Sequence, residues 1–185
     1  MEGMTWVWIV LGILAAVVVV IAAILVGLGA ARRRLRRQIA RQQEQAPAFP
    51  DWAREHGYTY SAAFPESDVE HLRGLGALTP FSDFVFSRAE HVFRAAEGGR
   101  MRYLLQLTVF SDPGPEARPR GALTVAVAQV PRSAAVADVR EPAPSRGQAG
   151  VHAHGRWVTS YRGGPLTLES MEIVEGRLDQ HLQRT

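Results

Sequence analysis

The stretch His91–Phe110, HVFRAAEGGRMRYLLQLTVF, decides how the folded part of this chain is built. Gly98-Gly99 separates two runs of strand-forming residues, and a two-residue glycine loop supplies the positive φ angles of a primed β-turn. His91–Glu97 and Arg100–Phe110 are therefore expected to pair as an antiparallel hairpin. On the second arm Met101, Tyr103, Leu105, Leu107 and Val109 recur at period two, with Arg102, Gln106 and Thr108 on the alternate face. That alternation predicts a half-buried strand with one face on a core and one toward water.

Reading outward toward the C-terminus, Ser111–Arg120 holds three prolines and a glycine and reads as a loop. Ala122–Val130 is the next strand. Its bulky residues Leu123, Val125 and Val127 alternate with the small Ala122, Ala126 and Ala128, and a small-residue face lets a helix pack closely on a sheet. Pro131 ends it. Ser133–Gly150, with Pro142, Pro144, Gly147 and Gly150, reads as mostly irregular. Val151–Tyr161 reads as a second hairpin turning near Gly155, and Gly163-Gly164-Pro165 as a break. A helix then begins near Leu168, capped by Thr167, with Glu169 and Glu172 placed where the helix dipole favours acids. Met171, Val174, Leu178 and Leu182 make its apolar stripe, and Gly176 weakens it.

On the other side of the hairpin, Asp51–His56 predicts a helical turn stopped by Gly57, and Tyr58–Tyr60 a short strand. Ser67 and Glu70 have capping-box spacing, which suggests a short helix through Leu72. Phe81, Phe84 and Phe86 form an aromatic cluster suited to a core. The sum is an α+β domain over 51–185, an antiparallel sheet of four to six strands with helices on one face or at the ends.

The first fifty residues differ in kind. Trp6–Ala31, WVWIVLGILAAVVVVIAAILVGLGAA, contains no charged residue. About 20 apolar residues suffice to span a bilayer as a helix. Trp6 and Trp8 mark one interface, and Arg32, Arg33, Arg34, Arg36, Arg37 and Arg41 form a basic collar at the other. Positive flanks stay cytoplasmic, which predicts the N-terminus outside and the domain inside a bacterial plasma membrane. A cleaved signal peptide would need a basic n-region and a shorter apolar run. Met1–Thr5 has no basic residue. Residues 1–31 thus read as a transmembrane anchor and 32–50 as a basic juxtamembrane helix and linker, broken by Pro47 and Pro50. Ala23, Gly27 and Ala31, with Gly12 and Ala16, form small-xxx-small rows that allow a homodimer through the anchor. The collar also suits anionic lipid heads, at about 1 kcal/mol per basic residue.

The net charge of +3 resides in that collar. Beyond residue 50 the chain has 15 arginines against 16 acidic residues and no lysine anywhere. A near-neutral domain argues against a nucleic-acid partner, which selects a basic face. Cysteine is absent, which excludes disulfides, thiolate metal sites and a cysteine nucleophile. There is no P-loop, no GxSxG elbow and no HExxH. Asp112, Asp138 and Glu141 read as solvated loop carboxylates. His152 and His154, at i and i+2 on a strand, point to one face and form the sole metal-like pair, but two ligands are not a site. A third would have to come from Glu169 or Glu172. Arg100 and Arg102 read as a charged strand edge or an anion contact.

The order WAREHGYTY, the EGGRMRYLLQLTVF hairpin, GALTVAVAQVP and GRWVTSYRGGPLTLES resembles that of uncharacterised actinobacterial single-pass membrane-anchored proteins. Their soluble domain opens with a W-x-x-x-x-G-[YW]-x-Y phrase, met here by Trp52, Gly57, Tyr58 and Tyr60. The segment between Pro131 and Gly150 departs from that pattern, being abbreviated. The resemblance implies an anchored domain and no catalytic residues, metal or cofactor. Together these readings predict an interaction or scaffolding module held at the lipid bilayer by one helix, with a protein partner, rather than an enzyme. The alternatives are an anchored enzyme with a metal near His152 and His154, and a sensor of anionic lipid.

Overall fold

The computed structural model describes residues 2–64, 66–78, 81, 85–110, 119–131, 136–143 and 147–184; within these, the side chains of 2–15, 28, 31, 32, 34, 35, 66, 67, 85–88, 97, 119, 120, 136 and 137 lie outside the description. It comprises two compact units, Met1–Ala40 and Arg41–Thr185.

The first unit belongs to helix α1 (Glu2–Gln45). Among its described residues, Val17, Val20, Ile24 and Val26 are 50 to 73 % exposed. Over the described residues no helix is long and apolar enough to cross a membrane. The side chains of Trp6–Ala15, which make up the rest of the apolar run, lie outside them.

The second unit is α+β. After the last turn of α1 come a 3-10 turn (Ala46–Ala48) and α2 (Phe49–Glu55). Pro47 and Pro50 stand in the first turns of these pieces, where a missing N–H costs nothing. Strand β1 (Thr59–Phe64) and α3 (Glu66–Gly74) follow. Six more strands complete the sheet: β2 (Val85–Glu97), β3 (Arg100–Phe110), β4 (Pro119–Gln129), β5 (Val136–Glu141), β6 (Gly150–Gly155) and β7 (Trp157–Gly163). Helix α4 (Leu168–Leu182) ends the fold. The strand order is β1-β2-β3-β4-β7-β6-β5, and every pairing is antiparallel.

Both expected hairpins are present. Glu97 pairs with Arg100 across Gly98 and Gly99, whose φ angles are +56° and +74°. His154 pairs with Trp157 across Gly155.

Three expectations need correction. The sheet has seven strands rather than four to six. The segment read as irregular contains β5, which pairs with β6. Gly150, read there as a chain breaker, lies within the sheet: a Cβ at this position would come within 2.8 Å of the Tyr161 ring and 3.0 Å of the Glu141 carbonyl oxygen. Third, helices cover both faces, so β3 is not half-buried. Leu104, Leu105, Gln106 and Leu107 are all buried in succession.

On one face α2 and α4 close over Phe93, Leu104, Ala126, Ala128, Val151, Ala153 and Val158. Met171, Val174 and Leu178 of α4 have no exposure, and Leu182 packs at their edge. The small residues of β4 admit this helix, as their pattern predicts. On the other face Val69 and Leu72 of α3, with Ala77, Leu78 and Phe81, cover Leu105, Leu107, Val109, Val125, Val127 and Trp157. Thr159 Oγ donates to the Ala77 carbonyl at 2.5 Å, and Phe81 meets Tyr161 edge-on at 5.0 Å. Phe81 is thus core, while Phe84, Phe86 and the capping side chain of Ser67 lie outside the described residues.

Candidate functional site

Of the residues predicted to meet lipid, Arg33, Arg36, Arg37 and Arg41 are exposed. The side chains of Trp6, Trp8, Arg32 and Arg34 lie outside the described residues.

From Arg41, the last arginine of the collar, the helix belongs to the second unit. Gln42 is 8 % exposed and Gln106, at the middle of β3, 5 %. Gln42 Nε2 donates to Gln106 Oε1 at 2.6 Å. The same oxygen accepts from the Leu166 backbone N–H at 2.8 Å, and Gln106 Nε2 donates to Glu90 at 3.1 Å. Gln45 Oε1 accepts from the Leu168 N–H at 3.1 Å, satisfying one of the orphan donors at the start of α4. The Thr167 side chain caps that same helix, accepting from Ser170 N at 3.2 Å, while Ser170 Oγ accepts from Thr167 N at 2.7 Å. The last turn of α1 is thereby tied through the Gln106 amide to the segment leading into α4, and through Gln45 to the first turn of α4 itself. The sequence showed Gln106 only as a polar residue at an alternate-face position. A glutamine among Leu104, Leu105 and Leu107 is the signal for a buried partner.

A second polar cluster ties α4 to the hairpin. Arg102 bridges Asp179 at 2.8 Å and Glu175 at 3.2 Å, and the Tyr58 hydroxyl donates to Glu175. Arg102, Tyr58 and Glu175 border a surface cleft of about 420 Å3 lined also by His56, Gly57, Ala95 and Ala96. Burial, and then the adjacent Glu175 carboxylate, raise the Tyr58 hydroxyl far above its ordinary range, so it stays a donor. Burial works against the Arg102 charge, but the bond to Asp179 and the fields of the Glu175 and Asp179 carboxylates outweigh it. Arg102 therefore belongs to this network rather than to a strand edge, since β3 is third of seven strands. His56 stacks on Trp52 with centroids 4.0 Å apart.

The histidine pair shares a face, as its spacing predicts. His152 is 9 % exposed with neither ring nitrogen hydrogen-bonded, and its ring lies parallel to that of His154 with centroids 6.4 Å apart. Burial, and next the neighbouring His154, lower its pKa. The carboxylate near them comes from Asp138 of β5, 2.9 Å from His154 Nδ1, not from Glu169 or Glu172. Among the described residues no group of three or more metal-ligating side chains is gathered. His91, at a bulge between Glu90 and Phe93, holds a positive φ of 50° and contacts the Tyr60 hydroxyl through Nδ1 at 2.8 Å.

No family model, no curated protein and no solved structure matches this chain.

Proposed function

We propose that this chain is a single-pass membrane protein whose cytoplasmic domain serves as an interaction or scaffolding module at the bilayer. The observation that carries the reading is the apolar surface of α1, with Val26 73 % exposed and its neighbours similarly bare. A helix so apolar all round needs a medium other than water. The 26 residues Trp6–Ala31 would extend about 39 Å at ~1.5 Å per residue, more than the ~30 Å hydrocarbon core. The uncharged run followed by arginines supports an N-terminus outside a bacterial plasma membrane and residues 32–185 on the cytoplasmic side. A bilayer is then the first partner, a protein the second, and the near-neutral domain is not suited to nucleic acid.

The test is alkaline carbonate extraction of membranes from cells making the full chain. Retention in the pellet is expected, with release when Val18 and Val20 are both replaced by Arg. Recovery of the unaltered chain in the supernatant would overturn the anchor.

A second reading, recognition of anionic lipid heads, is favoured by the exposure of Arg33, Arg36, Arg37 and Arg41. It predicts that the chain reconstituted in vesicles gathers phosphatidylglycerol around itself. It fails if four Arg→Gln substitutions leave that enrichment unchanged.

A further inference from the structure

His152 is buried in β6, 9 % exposed, and among the described residues neither ring nitrogen has a hydrogen-bond partner. Such a ring is tolerated while neutral. Its cationic form would hold a charge and two N–H donors away from water, with no acceptor for either donor.

The surrounding groups do not compensate. Arg140 of the neighbouring strand β5 is its partner in the ladder, and the His154 ring on its own strand lies parallel to it at 6.4 Å. Both oppose a positive charge on His152. Asp138 of β5 favours one, but its carboxylate is bound to His154 Nδ1 at 2.9 Å. From β7 comes the neutral Thr159, whose hydroxyl donates to the Ala77 carbonyl.

Strand β5 ends the sheet, with β6 as its neighbour. Their ladder shifts register between Val136 and Val139. Val139 packs at the edge of the core, while Asp138 and Arg140 are exposed. Two polar ties hold the strand, Asp138 to His154 and Glu141 to Arg177 of α4. A strand so placed opens at less cost than β7, which lies between β4 and β6. Opening it lets water reach His152 without parting the core.

We propose that β5 is an acid-released edge strand: protonation of His152 detaches β5 from β6 ahead of unfolding and bares the β6 edge. The device lies wholly within the second unit and does not depend on the anchor.

The test is hydrogen exchange of the full chain in detergent micelles at pH 7.5 and pH 5. Each amide is expressed as protection relative to the unfolded chain, so that the chemical pH dependence of exchange cancels. Once uncovered, His152 takes up its proton at the ordinary histidine value near 6.5, which favours opening at pH 5 by up to about thirtyfold. Protection in β5 should lie below that of β4 at both pH values and should fall on acidification by at least about threefold. His152→Gln should remove the fall. Arg140→Gln, which takes away the facing cation and keeps the imidazole, should reduce it. Protection in β5 equal to that in β4 overturns the proposal, because the strand would then open only when the domain unfolds. Lower protection that does not change with pH overturns it too, as does a fall that survives in His152→Gln. Should His152→Gln not fold, Arg140→Gln decides, since an undiminished fall there contradicts the device.

Discussion

Helix α4 turns Met171, Val174 and Leu178 into the sheet with no exposure, whereas α1 leaves Val17, Val20, Ile24 and Val26 between 50 and 73 % exposed. Both helices are regular, yet α4 is apolar along one stripe and α1 all round. The stripe of α4 is matched by this chain's own Ala126, Ala128 and Val158. The apolar side chains of α1 between Val17 and Val26 stay exposed among the described residues of their own unit. Under the proposed anchor, these side chains would report location rather than stability.

The strongest way to break this contrast is to truncate one residue in each helix. Leu178→Ala should destabilise the domain by about 2–5 kcal/mol through lost burial and a cavity. Val20→Ala should leave the unfolding midpoint of the domain unchanged. Chemical denaturation of the detergent-solubilised chain measures both, and equal losses would mean that α1 packs on the domain. Gln106→Ala comes next. It leaves Gln42 and the Leu166 N–H without their acceptor, a cost of about 1–3 kcal/mol, and hydrogen exchange should then quicken at the start of α4. Slower exchange there, or none of the loss in stability, would show that water replaces the amide. Thr167→Ala should cost about 1 kcal/mol, the usual effect of removing a cap, read as a lower Tm.

The smallest effect is that of pH. His152 and His91 both have lowered pKa values, with burial as the first cause. The unfolded chain then binds protons that the folded one refuses. Their contribution is complete above the ordinary histidine value near 6.5 and is lost as pH falls through the lower folded values. Thermal melts between pH 8 and pH 5 should show falling stability, less steeply in His152→Gln. A rise in stability on acidification would contradict the burial of these rings.

Local patterns carried much of the fold. Two hairpins, the stripe of α4, its Thr167 cap and the small face of β4 follow from turn chemistry and periodicity. What escaped was long-range. Gln106 and Leu104 share the β3 face reached by α4, and period two alone does not say whether a second layer covers that face. Strand β5 was hidden because Asp138, Arg140 and Glu141 give an edge strand the polarity of a loop. The partners of Arg102 lie 73 and 77 positions away at Glu175 and Asp179, a separation that no local rule spans. The Asp138–His154 contact was missed with the strand that bears it. The anchor reading of Trp6, Trp8 and the arginine collar rests on composition alone and stays a proposal, since their placement is not what the fold of the second unit reports.

The anchor and its direction are the centre of this account, and paired topology reporters fused after Thr185 test them most directly. A reporter active only in the cytoplasm should give signal, and one active only outside should be silent. The opposite result would place the domain outside the cell and contradict the reading of the arginine collar.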